Sequence, residues 1–163
     1  MSSQVLSPQA STAEVAVWVR LLRGHRVLTG ELSARLQEEH GLTINDYEVL
    51  VLLSYAEGRR MRRVDLADEV KLSPSGITRL LDGLQQHGYV ERATCDSDAR
   101  VAYAVLTDDG HAKLKESSSS HIEAIRGELA DRYSAEELET LGELLSRLPG
   151  AAEVDPDACA GGD

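Results

Sequence analysis

The chain lacks most of the features that would assign it to a class at a glance. Its 163 residues include only two cysteines, Cys95 and Cys159, one in an expected loop and one in an expected tail, with no CxxC or Cys/His spacing. That excludes a disulfide framework and a cysteine-ligated zinc site, and two free thiols are expected instead. No apolar run approaches the roughly 20 residues that a membrane span requires. The opening segment MSSQVLSPQASTAEV lacks the basic start and apolar stretch of a secretion signal, so the cytoplasm is the expected location and no membrane partner is expected. There is no phosphate-cradling glycine loop, no Ser/His/Asp arrangement and no paired carboxylates, and an enzyme is not expected. His111 and His121 lie too far apart along one helix to chelate together, so neither metal nor other cofactor is expected.

Positive charge is also short: the net charge of −11 argues at first against a polyanionic partner. The imbalance is uneven, however. Residues 1–58 carry −3, residues 59–107 carry +1 and residues 108–163 carry −9. Only the middle third is not repelled by nucleic acid, and the acidity of the last third serves solubility.

What is present is mostly helical pattern. Residues 12–40 place Val15, Trp18, Leu22, Leu28, Leu32 and Leu36 at helical spacing and stop at Gly41. Gly24 and Gly30 interrupt this helix at about 1 kcal/mol each relative to alanine, so it depends on tertiary or partner contacts. Thr43 and Asp46 form a capping-box pattern before a second helix that Gly58 closes. VDLADEV, residues 64–70, predicts a short helix with Leu66, Ala67 and Val70 inward. In KLSPSGITRLLDGLQQHG, Ser73 is a good N-cap and Pro74 suits the first helical position, where its missing N–H costs nothing. Ile77, Leu80, Leu81 and Leu84 then form one buried stripe, while Ser75, Arg79, Asp82 and Gln86 face away, with Thr78 on the flank. Thr107 with Asp108 and Asp109 starts a long helix to about Arg132. Ser134 and Glu137 make a second capping box, ahead of Leu138, Leu141, Leu145 and Leu148, and Pro149 stops that helix. Residues 1–11 are expected to be a flexible N-terminus and 150–163 a disordered acidic tail.

One segment breaks the helical pattern. YVERAT and VAYAVLT, within residues 89–107, are strand-like runs around the polar tip CDSDAR. A short helix, a turn and a second helix over residues 64–87, followed directly by a hairpin, is the order of a winged helix-turn-helix. There the second helix enters the major groove and the hairpin tip reaches the neighbouring backbone or minor groove. Two aspartates at such a tip oppose a polyanion. Pairing of Asp98 with Arg92 or Arg100 would reconcile them by shaping the loop and leaving one cation outward.

Residues 59–110 resemble the MarR family of bacterial transcriptional regulators. VDLADEVKLSPSGITRLLDGL, LQQHGYVER, the D-x-R of Asp98-Ala99-Arg100 and AVLTDDG match in order and spacing, and with the flanking helices the resemblance covers about residues 12–149. Common members carry two adjacent basic residues at the wing; here the first is Ala99, leaving Arg100 as the wing-tip cation. The resemblance implies a mainly α fold: a winged helix-turn-helix at 59–110 with one β-hairpin wing (89–106), embedded in an all-helical dimerisation domain built from helices 12–40 and 108–148. It implies a homodimeric, sequence-specific regulator, a repressor, on double-stranded DNA with a pseudo-palindromic operator. Carried over residue by residue, Ser75, Thr78 and Arg79 face base edges and phosphates. Arg100 reaches the minor groove, Ser73 or the helix N-terminus meets a phosphate, and Arg62 and Arg63 clamp the backbone.

Family members usually respond to a small molecule, often aromatic or phenolic, and Trp18, His25, Tyr47 and Tyr55 are the candidates here to line its pocket. For each of the four, packing in the core is the competing expectation. Two alternatives to the DNA-binding reading stand beside it. One is a winged helix that serves protein–protein contact without DNA. The other is a redox-responsive regulator acting through Cys95, although no basic cluster activates that thiol.

Overall fold

Threonine, serine and glycine punctuate the chain at the helix boundaries. In the computed structural model, which describes residues 12–94 and 100–151, α1 (Ala13–His40) ends at Gly41, whose φ of 70° is the left-handed conformation that suits a residue without Cβ. Helix α2 (Ile44–Tyr55) opens with a closed capping box: Thr43 Oγ1 accepts from the Asp46 N–H at 3.2 Å and Asp46 accepts from the Thr43 N–H at 2.8 Å. Helices α3 (Arg63–Glu69) and α4 (Pro74–Gln86) form the helix-turn-helix. Ser73 caps α4 by accepting from the Gly76 N–H at 3.1 Å, with Pro74 in the first turn. The chain leaves α4 through Gly88, φ 76°, while the Tyr89 N–H returns to the Leu84 carbonyl at 3.0 Å.

The hairpin is not isolated. Strand β1 (Arg60–Arg62) joins β2 (Val90–Thr94) and β3 (Ala102–Leu106) in an antiparallel sheet of order β1-β3-β2, with Arg62 opposite Tyr103 and Arg60 opposite Val105. The run RRMRR presents as a basic stretch because three residues are too few for a period-2 signal. The pairing uses the edge of β3 that the hairpin leaves open, and the Arg60 guanidinium lies 4.7 Å from the centre of the Tyr103 ring, a diagonal cross-strand cation–π contact.

Long helix α5 (Asp108–Ala130) is seated directly on the hairpin. The Thr107 hydroxyl donates to the Gly88 carbonyl at 2.6 Å and accepts from the Gly110 N–H at 3.0 Å, and the Thr107 N–H bonds the Tyr89 carbonyl at 3.1 Å. Gly110 has no alternative here, because an added Cβ would overlap the Tyr89 carbonyl oxygen and come within 2.7 Å of Leu106 Cδ1. Helix α6 (Ala135–Leu145) has the Ser134–Glu137 capping box, but it ends at Leu145 rather than continuing to Pro149, so Leu148 lies in the following turn.

The core is almost wholly aliphatic. Val49, Leu50 and Leu53 of α2 meet Leu66 of α3, Ile77, Leu81 and Leu84 of α4, Val90 and Leu106 of the sheet and Leu114 of α5. The expected inward residues of α3 and α4 are there, Leu80 being only partly buried. Truncating one of these leucines removes about 2–5 kcal/mol. By contrast, Val15, Trp18 and Val27 of α1 and Leu144, Leu145 and Leu148 near the C-terminal end are exposed, Trp18 to 61%. Among the described residues no helix is long and apolar enough to cross a membrane.

Candidate nucleic-acid interface

The buried stripe of α4 fixes which side chains it shows to solvent. Ser75, Arg79 and Gln86 are exposed, Thr78 is half-buried on the flank, and Asp82 is half-buried because the Arg92 guanidinium of β2 donates to its carboxylate. Asp82 is therefore an observed partner of Arg92; Asp98, expected to pair with Arg92 or Arg100, lies outside the described residues, as do Cys95 and Ala99. The ion pair ties the last turns of α4 to the first hairpin strand, which sets the angle between helix and wing. Its spacing along the chain carries no local signature, so only the fold reveals it.

Thr78 is held from both sides. Its hydroxyl donates to the Pro74 carbonyl at 2.7 Å and accepts a hydrogen bond from the Arg63 guanidinium. The one hydroxyl proton is thus committed within the protein. Arg63 is half-buried, and among the described residues no carboxylate pairs with it. Arg62, its neighbour, is exposed and forked onto Asp65 at 2.7 and 2.9 Å, and this carboxylate raises its pKa above the ordinary arginine value. The i, i+3 spacing of Arg62 and Asp65 is a signal that sequence inspection passes over. Ser73 Oγ serves the α4 cap and lies 3.2 Å from Ser75 Oγ. Arg79 is exposed with no ion-pair partner among the described residues.

Arg62, Arg63 and Arg100 line one groove of about 420 Å³ together with Pro74, the first residue of α4. Three guanidinium-bearing side chains, from the end of β1, the start of α3 and the wing root, thus converge beside the N-terminal end of α4, where the helix dipole also favours an anion.

The four pocket candidates are not brought together in this way. Trp18, His25 and Tyr55 are exposed. Tyr47 is buried, with 4% exposure, its hydroxyl donates to Ser118 Oγ at 3.1 Å, and its ring lies 4.6 Å from that of His121. It packs the α2–α5 contact. Burial pushes the His121 imidazole below the ordinary histidine pKa, and its Nδ1 has no hydrogen-bond partner among the described residues. None of the four lines the groove.

A sequence model of the MarR family matches residues 40–101. The backbone superposes with a TM-score of 0.74 on Sco3205, a MarR family transcriptional regulator from Streptomyces coelicolor solved in complex with DNA, at 32% identity over 85% of this chain and 87% of that one. The chain belongs to the MarR family. AbsC, another MarR family regulator of Streptomyces coelicolor, is similar to the same degree, with a TM-score of 0.74 and 34% identity over 85% of this chain and 93% of that one. The transcriptional repressor YetL of Bacillus subtilis is 33% identical over 112 residues, 66% of either chain. The helix-turn-helix of this MarR-family chain is α3–α4, its wing is β2–β3, and the matched family segment spans both helices and the first wing strand.

Proposed function

We propose that the protein is a homodimeric, sequence-specific repressor that grips double-stranded operator DNA with α4 in the major groove and the wing alongside. A small organic effector releases it. The observation that carries the reading is the convergence of Arg62, Arg63 and Arg100 beside the N-terminal end of α4, next to the exposed Ser75 and Arg79. The DNA-bound state of Sco3205 supports it. In this reading Arg79 reaches a base edge, with guanine as the partner best matched to a guanidinium fork. Arg100 reaches the backbone or minor groove beside the wing, Ser75 and the α4 N-terminus meet a phosphate, and Ser73 acts through the cap it makes. Arg62 presents a guanidinium already oriented by Asp65. Arg63 props Thr78.

The dimer rests on the exposed apolar residues of α1 and of the C-terminal end, which a monomer leaves in water. Small shifts between the two winged helices then change the half-site spacing, and an effector acts to the extent that it prefers the non-binding arrangement.

Fluorescence anisotropy on the duplex upstream of the protein's own gene tests the contacts. Arg79→Ala and Arg100→Ala are each expected to weaken binding by about 1–3 kcal/mol, roughly fivefold to more than a hundredfold, with the dimer intact by sedimentation. Unchanged affinity and unchanged salt dependence in both variants refute the assignment.

A further inference from the structure

Helix α3 ends on a residue whose backbone conformation suits glycine, and the residue is a lysine. The Val70 N–H bonds the Leu66 carbonyl and the Leu72 N–H bonds the Ala67 carbonyl, each at 3.0 Å. The second bond closes a Schellman turn, which puts Lys71 at the left-handed position, with φ 55°. This turn delivers the chain to α4: Leu72 folds back and packs, partly buried, against the core, and Ser73 caps the next helix. Helices α1 and α4 leave through the same conformation on Gly41 and Gly88. A Cβ makes that conformation costly, so glycine is the residue the turn favours.

Contacts within the protein do not account for the lysine. Lys71 is exposed, and its ammonium has no hydrogen bond or ion pair among the described residues. The other left-handed residue that is not glycine, Arg59, is different, because its guanidinium donates to Asp108 at 3.2 Å. Lys71 sits on the turn just before the Ser73 cap and Pro74, and Pro74 shares its groove with Arg62, Arg63 and Arg100. It precedes the exposed residues of α4, Ser75 and Arg79, that are offered to bases. A compact, strongly hydrated ammonium on a flexible stem suits a single phosphate oxygen better than the paired acceptors of a base edge.

We propose that Lys71 is a DNA-backbone contact: its ammonium holds a phosphate flanking the bases that α4 reads, and the turn keeps a strained lysine for the sake of that charge. The proposal deepens the repressor reading and rests on its DNA-binding half. It also separates two tasks within one turn, since the backbone of Lys71 sets the start of α4 while its side chain anchors the helix on the duplex.

The test compares the full chain with Lys71→Gln, Lys71→Arg and Lys71→Gly. Anisotropy is recorded over a salt series on the duplex upstream of the protein's own gene and on an unrelated duplex of equal length. Thermal unfolding is recorded alongside. Lys71→Gln is expected to weaken binding at least about tenfold at 0.1 M salt, by a similar factor on both duplexes. Its salt slope is expected to fall by about one for each copy bound. Lys71→Arg keeps affinity within about threefold of the wild type. Lys71→Gly loses affinity as Lys71→Gln does, yet unfolds at the same or a higher temperature, because glycine adopts the left-handed turn without a Cβ penalty.

A Lys71→Gln protein that binds both duplexes with the wild-type affinity and slope overturns the contact, and a lowered unfolding temperature would then make the ammonium a charge serving the C-terminal end of α3. Weakening confined to the upstream duplex makes Lys71 a base contact and overturns the phosphate assignment. In either case the repressor reading stands. Failure of the wild-type chain to bind either duplex overturns the DNA-binding reading, and the contact with it.

Discussion

Thr78 illustrates how a single side chain acquires a role from its neighbours. On sequence it is a hydroxyl offered to DNA; in the structure that hydroxyl is tied to the Pro74 carbonyl and the Arg63 guanidinium. What remains for a base edge is the γ-methyl, whose natural partner in the major groove is the thymine C5-methyl. Replacing thymine by uracil at the contacted position is therefore expected to weaken the wild type by about 1 kcal/mol, roughly fivefold. Thr78→Val is expected to keep that sensitivity and Thr78→Ser to lose it, as read by anisotropy on a set of singly substituted duplexes. Uracil sensitivity that persists in Thr78→Ser contradicts the assignment. Arg63, expected as a backbone clamp, is a half-buried guanidinium already bonded to Thr78, so the protein itself positions it.

At the scale of the elements, helix positions are legible from local chemistry because caps and breakers act within a turn. Thr43 with Asp46, Ser73 with Pro74, Thr107 with the aspartates and Ser134 with Glu137 all mark helix starts found in the structure. The α4 stripe is legible for the same reason. Strand β1 and the Asp82–Arg92 pair are not, since each depends on segments brought together only by the folded chain. The end of α6 is illegible differently: Leu148 continues the spacing, but the helix gives way to a turn after Leu145. Within the candidate site, Arg79 and Ser75 face outward as the periodicity of α4 requires. The grouping of Arg62, Arg63 and Arg100 around an apolar groove has no sequence signature. The joint between α5 and the wing yields a stability prediction. Gly110→Ala drives a methyl into the Tyr89 carbonyl, so the α5 start must lift off the sheet. The expected loss is about 3 kcal/mol in urea unfolding, against a gain of up to about 1 kcal/mol for Gly142→Ala, which lies inside α6 with nothing within 4 Å of an added Cβ. Equal effects at the two positions contradict the close approach.

For the whole molecule, the charge distribution and the apolar surface point the same way. The acidic excess sits in the last third of the chain, away in sequence from the segment of residues 59–107 that carries the only positive balance. The overall charge of −11 is thus carried by sequence segments other than the one that holds the candidate DNA-contacting residues. Trp18 and Val15 on α1, and Leu144 and Leu148 at the C-terminal end, leave apolar surface that a second copy would cover. Two copies related by a twofold axis present two α4 helices, and the DNA they select must share that symmetry. The most direct measurement is enrichment of random-sequence duplexes on the full-length protein, followed by sequencing. The account predicts an inverted repeat whose half-site centres lie about one helical turn, 10–10.5 base pairs, or a multiple of it apart. Enrichment of a single unpaired half-site, or no enrichment over the input pool, contradicts it.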